Sequence, residues 1–433
     1  MKSSCRPEQL DLLPQAIKWF VFSCVIGIFS GTASALFLAS LDFVTSWRES
    51  HRWIITALPV AGFLVGWIYL RFGKEVEGGN DLIIDEIHSP QNVIPLRMTP
   101  LILISSVVTH LFGGSAGREG TAIQMGGSLA DQLTSPFKLS PKDRRIVLMA
   151  GISGGFGSVF GTPLAGTVFG LEVLSIGKLR YEAIFPCLIA AIVGDKVTQV
   201  WGIHHSVYQI PFAPEMTLPG LLYSVIAGVV FGIVGMLFAN TIHGIAAFFK
   251  KHVSYPPLRP FIGGIIVASL VWITGTTKYI GLGVPTILDA FKVSLPPWDF
   301  AGKFLMTVLT LGSGFKGGEV TPLFFIGATL GNALSLIFPL PSPLLAGMGF
   351  AAIFAGAANT PLACMLMGIE LFGSGSAVYV GVACVVSYLF SGHTGIYHSQ
   401  RIGSSKHHDR GHEEGLTLGR LHSAKKNPEI DKS

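Results

Sequence analysis

Apolar residues run through this chain in blocks rather than in alternation. Apolar or nearly apolar runs cover 16–41, 53–70, 98–112, 146–174, 183–194, 218–249, 261–273, 300–312, 321–338 and 344–390. A helix needs roughly 20 such residues to cross a ~30 Å hydrocarbon core. Several runs reach that length, and others stop short at glycine or proline. The pattern predicts an all-α polytopic membrane protein. Composition agrees, because only 13% of the residues are charged, against about 25% in an average soluble domain.

The 53 glycines and 25 prolines sharpen this reading. Irregular backbone survives at membrane depth only where protein buries it or where it lines a cavity. So many interruptions imply helices that stop part-way and meet at a site near the midplane, as transporters build them. Glycine serving close helix packing accounts for most of the rest. The net charge of +5 lies largely in loops and the last thirty residues; membrane orientation explains it without a nucleic-acid surface. The five cysteines, Cys5, Cys24, Cys187, Cys364 and Cys384, have no CxxC spacing, which argues against a disulfide frame or a metal site. "MKSSCRPEQLDLLPQ" lacks the features of a removed signal peptide. No phosphate-binding or dinucleotide fingerprint occurs, so no organic cofactor and no enzyme activity are expected.

The chain repeats itself at an offset near 200. "GIFSGTASALF" (27–37) answers "GVVFGIVGMLF" (228–238), and Pro59 and Gly62 answer Pro260 and Gly263. "GREGTAI" (117–123) answers "GGEVTPL" (317–323), which pairs Glu119 with Glu319 and Thr121 with Thr321. "TPLAGTVFGLE" (162–172) answers "TPLACMLMGIE" (360–370). Loop charge then suggests the relative orientation. "KLSPKDRR" (138–145) holds four cations where "FPLPSPLL" (338–345) holds none, and "KLR" (178–180) holds two where "GSGSA" (373–377) holds none. Cations collect on the cytoplasmic side, so corresponding loops face opposite ways. The expected organisation is a tail at 1–15, a first membrane repeat at 16–205, a linker at 206–216, an inverted second repeat at 217–401 and a disordered polar tail at 402–433. Each half would hold an odd number of membrane helices, with both termini cytoplasmic and the plasma (inner) membrane as location.

Two related turns from oppositely oriented halves would meet near the middle of the membrane. Glycine leaves backbone N–H groups bare at a helix start, where the helix dipole favours negative charge. That arrangement binds an anion without a fixed cation to trap it. Glu119 is then an acidic group placed where an anion binds. As a carboxylate it competes with the ion; protonated, it can leave. Mutual exclusion of an ion and a proton at one place yields exchange in opposite directions. The bland reading is a structural glutamate paired with Arg118.

These segments resemble the CLC family of chloride channels and proton-coupled anion antiporters over roughly residues 16–400. "GREGT" is similar to the family's G-K/R-E-G-P signature, with Glu119 at the gating glutamate. "GGEVTP" is similar to its G-x-F-x-P signature, and "GGNDLI" (78–83) stands where G-S-G-I-P is usual. The resemblance implies two inverted halves of about 17–18 short and tilted helices, assembled as a homodimer with one pore per subunit. It implies gating and proton transfer by Glu119 and Glu319, and anion binding by Gly79, Asn80, Gly117, Arg118, Gly120, Gly318, Val320, Thr321 and Tyr397. The departures, Asn80 for serine, Ile83 and Thr121 for proline, and Glu319 and Val320 at usually apolar positions, resemble the fluoride-exporting branch, which exchanges fluoride for protons. Val173 stands where many chloride–proton antiporters carry a second, internal glutamate. Fluoride accepts hydrogen bonds better than chloride, and an asparagine amide brings two N–H donors where serine brings one O–H. The alternative is a chloride channel or a chloride–proton exchanger of the same fold.

Other candidates have plainer readings. Glu172 and Glu370 end paired helices, which suggests helix-terminal or subunit-interface contacts. Asp195 and Lys196 suggest solvent contact, and His110 a satisfied core histidine. "SSKHHDRGHEEG" (404–415) suggests no more than adventitious metal binding in a disordered tail. "GISGG" (151–155) contains the GxSG of intramembrane serine proteases, but a glycine-serine packing face explains it better than a Ser153 nucleophile.

Overall fold

Proline and glycine decide where the helices begin and end. Proline lacks the N–H that a first helical turn leaves unused, so it costs little there. The computed structural model describes residues 8–426. The first half comprises α1 (Glu8–Ser50), α2 (Leu58–Phe72), α3 (Asn80–His88), α4 (Met98–Leu111), α5 (Glu119–Asp131), α6 (Pro141–Phe160), α7 (Pro163–Glu172) and α8 (Ile184–Val200). The second comprises α9 (Leu218–His252), α10 (Leu258–Thr274), α11 (Val284–Ala290), α12 (Asp299–Gly312), α13 (Val320–Leu334), α14 (Ser342–Ala358), α15 (Pro361–Phe372) and α16 (Ala377–Phe390). Helices α2, α6, α7, α9, α11, α14 and α15 all carry proline at their first or second position.

Among the described residues, four helical segments, Leu12–Ser50, Arg52–Phe72, Tyr181–Val200 and Leu218–His252, are long and apolar enough to cross a membrane. The central helices are shorter. At 1.5 Å per residue the 13 residues of α5 reach about 20 Å, well under a ~30 Å core. They stop part-way, as the density of glycine and proline implies. Among the described residues eight α-helices fall in each half, so an odd number of crossings per half requires some of them to stop short.

The packing repeats with the sequence. In the first half α1 lies on α8 and α6, and α5 lies on α6 and α4; in the second, α9 lies on α16 and α14, and α13 on α14 and α12. The GxxxG pairs explain the outer contacts. A side-chain carbon at Gly31 would fall 2.4 Å from the Gly194 carbonyl of α8, and one at Gly232 would fall 2.6 Å from the Ser387 carbonyl of α16. Other elements meet their own counterparts: α2 touches α10, α7 touches α15 and α5 touches α13. Self-paired contacts of this kind mark a two-fold relation. The inner helices α13 and α14 are buried on nearly every face, as helices apolar all round must be.

Two expectations are corrected. The segment after the second repeat is folded through residue 426. Strand β1 (Ser175–Ile176) pairs in parallel with β2 (Arg401–Ile402), and α17 (Leu418–Lys426) follows a 3₁₀ turn at His408–Glu413. Ile402, Leu418 and Leu421 pack with Ile176 in a small apolar cluster, which supplies the burial that composition alone did not suggest. The "KLSPKDRR" loop is also less basic than its count. Arg144 is buried, donates to both carboxylate oxygens of Asp131 at 2.8 Å, and reaches Glu86 at 2.8 Å. It serves packing rather than the orienting charge.

Candidate anion and proton site

The two glycine turns do meet. Gly117 N–H donates to the Gly318 carbonyl at 2.6 Å and Gly318 N–H returns a bond to the Gly117 carbonyl at 2.9 Å, an isolated antiparallel bridge. This reciprocity corrects the register of the repeat by one residue. Gly117 answers Gly318, so Glu119, first in α5, answers Val320, first in α13. Glu319 instead occupies the N-cap position of α13, as Arg118 does for α5.

Glu119 is fully buried. Its Oε2 accepts the Thr321 backbone N–H at 3.0 Å and the Arg118 backbone N–H at 3.1 Å, and its Oε1 accepts the Thr321 hydroxyl at 2.5 Å. The carboxylate of the first half therefore sits on the first turn of α13, where unpaired donors and the dipole hold negative charge. The Arg118 guanidinium stands off, its Nε 3.5 Å from Glu119 Oε1 and without a hydrogen-bond partner among the described residues. The Arg118–Glu119 ion pair exists but is long, and the shorter contacts of the carboxylate include those from Thr321 across the halves.

Gly120 explains how close the other groups come. A side-chain carbon there would lie 3.1 Å from Asn80 Nδ2, 3.2 Å from Gly318 Cα and 3.8 Å from Glu319 Oε2. Those groups surround a bare Cα. Asn80 opens α3 behind Gly79, whose φ of 58° suits glycine. A polar cavity of about 210 Å³ adjoins the turns, lined by Gly79, Asn80, Asp81, Lys316, Glu319 and Tyr397 among others. Asn80 and Tyr397 also line a second, apolar cleft of about 10 Å³ with Ile123, Phe169 and Val173. Asn80 Oδ1 and Tyr397 Oη are buried polar atoms with no partner among the described residues. Buried polar groups are rarely left unmatched, so both suit a ligand or water in this space. Val320 is fully buried at the start of α13. All eleven expected site residues are thus in one region.

The other candidates resolve plainly. Glu370 accepts from Leu164 and Ala165 N–H at 2.9 and 2.8 Å, and Glu172 from Leu362 and Ala363 N–H at 3.1 and 2.9 Å. Each of α7 and α15 caps the start of the other. His110 lies between the Ser106 and Ala116 carbonyls, with its two ring nitrogens 2.8 and 3.1 Å from them, and a neutral ring donates to one of the two. Ser153 packs against Gly170, where a side-chain carbon would fall 2.2 Å from its Oγ. Asp195 is buried rather than solvated; it accepts from Gln199 at 2.7 Å and stands 3.7 Å from His205 Nε2. Burial first, then the Arg118 charge, hold the His205 pKa below its usual value, and Asp195 opposes them.

Sequence reasoning passed over several groups. Asp81 and Asp85 hold Ser399, two residues after Tyr397, through its N–H at 2.9 Å and hydroxyl at 2.8 Å. Lys303, fully buried in α12, donates to the Gly281 carbonyl at 2.6 Å, and Gly281 N–H in turn donates to Gly114 at 3.0 Å. A lysine inside the apolar run 300–312 was the available signal.

Comparison with known proteins places this arrangement. The family model described as voltage gated chloride channel matches residues 61–392. A protein of Pseudomonas syringae pv. tomato named chloride/fluoride channel protein is 58% identical over 409 residues, covering 93% of this chain and 90% of the relative. A solved CLC-type fluoride/proton antiporter superposes with a TM-score of 0.86 at 35% identity, covering 89% of this chain and 98% of that one. A slow cyanobacterial Cl⁻/H⁺ antiporter shares the fold, with a TM-score of 0.77 at 22% identity over 86% of this chain and 94% of that one. A family model spanning well over half the chain and a relative of that identity lead to one conclusion: the chain belongs to the CLC, or voltage gated chloride channel, family.

Proposed function

We propose that this protein exports fluoride by fluoride/proton antiport, with the anion bound by helix starts and gated by Glu119. The observation that carries the reading is the Glu119 carboxylate seated on the first turn of α13, held by both the N–H and the O–H of Thr321. That seat would accept an anion just as well, so carboxylate and ion compete for it. Protonation would remove the negative charge and free the seat. The likeness to the fluoride/proton antiporter at 35% identity supports fluoride as the ion.

The anion path runs past the bare turns at Gly79, Gly117, Gly120 and Gly318. Asn80, Thr321 and Tyr397 supply donors, Arg118 supplies positive potential at the turn, and Val320 walls it. Glu319, on the cavity, is the second proton carrier. The apolar cleft beside Val173 supports this division, because no carboxylate lines it. The protein works as a homodimer in the plasma (inner) membrane with both termini cytoplasmic.

Purified protein in liposomes under a pH gradient tests this, with fluoride and chloride run side by side. Fluoride efflux faster than chloride, accompanied by proton uptake, is expected. Chloride transport equal to or faster than fluoride refutes the assignment. The second reading is a channel, favoured by the name of the 58% identical relative; fluoride flux without proton movement selects it.

A further inference from the structure

We propose that Lys406 is a positioning residue for Tyr397, and through it for one wall of the anion path. The inference rests on the reading of Tyr397 as a site group. The ammonium of Lys406 donates to Asn359 Oδ1 and the Tyr388 carbonyl at 2.6 Å each, to the Gly392 carbonyl at 2.7 Å and to Ser391 Oγ at 3.1 Å. It also stands 4.0 Å from the centre of the Tyr388 ring. An ammonium has three protons, so four oxygens and a ring face use it fully. The Tyr388 carbonyl belongs to the last turn of α16, and Gly392 follows its end, so the cation also meets the negative pole of the helix.

The consequence falls on Asn359, which ends α14 in the left-handed conformation at φ 58°. Lys406 fixes its Oδ1, so its amide nitrogen must face the other way. There Nδ2 donates to the Thr394 carbonyl and to Gln400 Oε1, each at 2.9 Å. Those two acceptors lie three residues before and three residues after Tyr397. Gln400 Nε2 donates onward to the Val173 and Ala358 carbonyls at 2.9 and 3.0 Å, and Ile396 N–H donates to the Ala357 carbonyl at 2.9 Å. The loop carrying Tyr397 is thereby pinned to the ends of α7 and α14 by a network with one charged end. Tyr397 Oη takes no part in it, so the hydroxyl is placed by its neighbours. The fold-back of the chain seats Lys406 in turn. Its backbone N–H donates to His393 Nε2 at 3.0 Å, and His393 Nδ1 pairs with Glu413.

A double-mutant cycle tests the coupling. Fluoride–proton exchange is measured in liposomes for the wild type, Tyr397→Phe, Lys406→Met and the double variant. Lys406→Met is expected to slow exchange at least threefold and to raise the half-saturating fluoride concentration. In the double variant it should add much less, because the hydroxyl it positions is gone. Wild-type exchange in Lys406→Met, or single effects that simply multiply, overturns the inference. An inert Tyr397→Phe instead sinks the reading of Tyr397 on which it rests. A single chromatographic peak in detergent verifies folding. Where Lys406→Met fails that check, Lys406→Gln replaces it. Failure of both assigns the lysine to folding alone and overturns the inference.

Discussion

Glu119 shows how much one side chain depends on atoms distant in the chain. Its turn, its charge and its flanking glycines are local, but two of its three donors come from Thr321, 202 positions away. Glutamine at 119 keeps the size and loses the titratable charge. Glu119→Gln is therefore expected to abolish proton coupling, read as fluoride flux with no accompanying pH change, or to block turnover. Unaltered exchange removes Glu119 from the mechanism. The same variant isolates the seat, since no carboxylate competes for it. In that background Thr321→Val deletes the hydroxyl and leaves the backbone N–H. A hydrogen bond to a charged acceptor is worth ~1.5–3 kcal/mol, so fluoride affinity by calorimetry should fall about tenfold or more. Unchanged affinity would place the ion elsewhere.

Among elements, the pair α7 and α15 rewards attention because each end holds the other. Their glutamates satisfy N–H groups that a helix start leaves open, across the two-fold relation of the halves. Losing a helix cap costs about 0.5–2 kcal/mol. Glu172→Ala and Glu370→Ala should both lower the thermal unfolding temperature in detergent. Glu172 should cost more, because it is buried while Glu370 is partly exposed. Negligible shifts would show that the caps carry little of the stability, and equal shifts that burial does not set the difference between them. The duplication of these glutamates was legible as a shared structural job. Their reciprocity was not, since nothing in "TPLAGTVFGLE" says that its partner is the matching helix rather than solvent.

At the scale of the whole molecule, exchange is a property of two halves closing on one seat. An antiporter can move fluoride uphill only while protons run downhill. Vesicles with an acidic exterior should extrude fluoride against its gradient, followed by a fluoride electrode, and a protonophore should stop that extrusion. Extrusion that survives the protonophore would contradict coupling. The long outer helices leave apolar faces such as Phe43, Val60 and Leu222 exposed; in a bilayer these face lipid.

The sequence by itself determined the membrane class, the two related halves and the glycine turns with their acidic residues. Those are matters of composition and local spacing, and they survive without knowledge of any contact. Only the tertiary structure decided the one-residue register between the turns, the seating of Glu119 on α13, the burial of Arg144 and Asp195, and the ring of oxygens around Lys406. A charged residue reads as exposed wherever its partners lie far along the chain, because local pattern records the cost of burying a charge and not the acceptors that offset it.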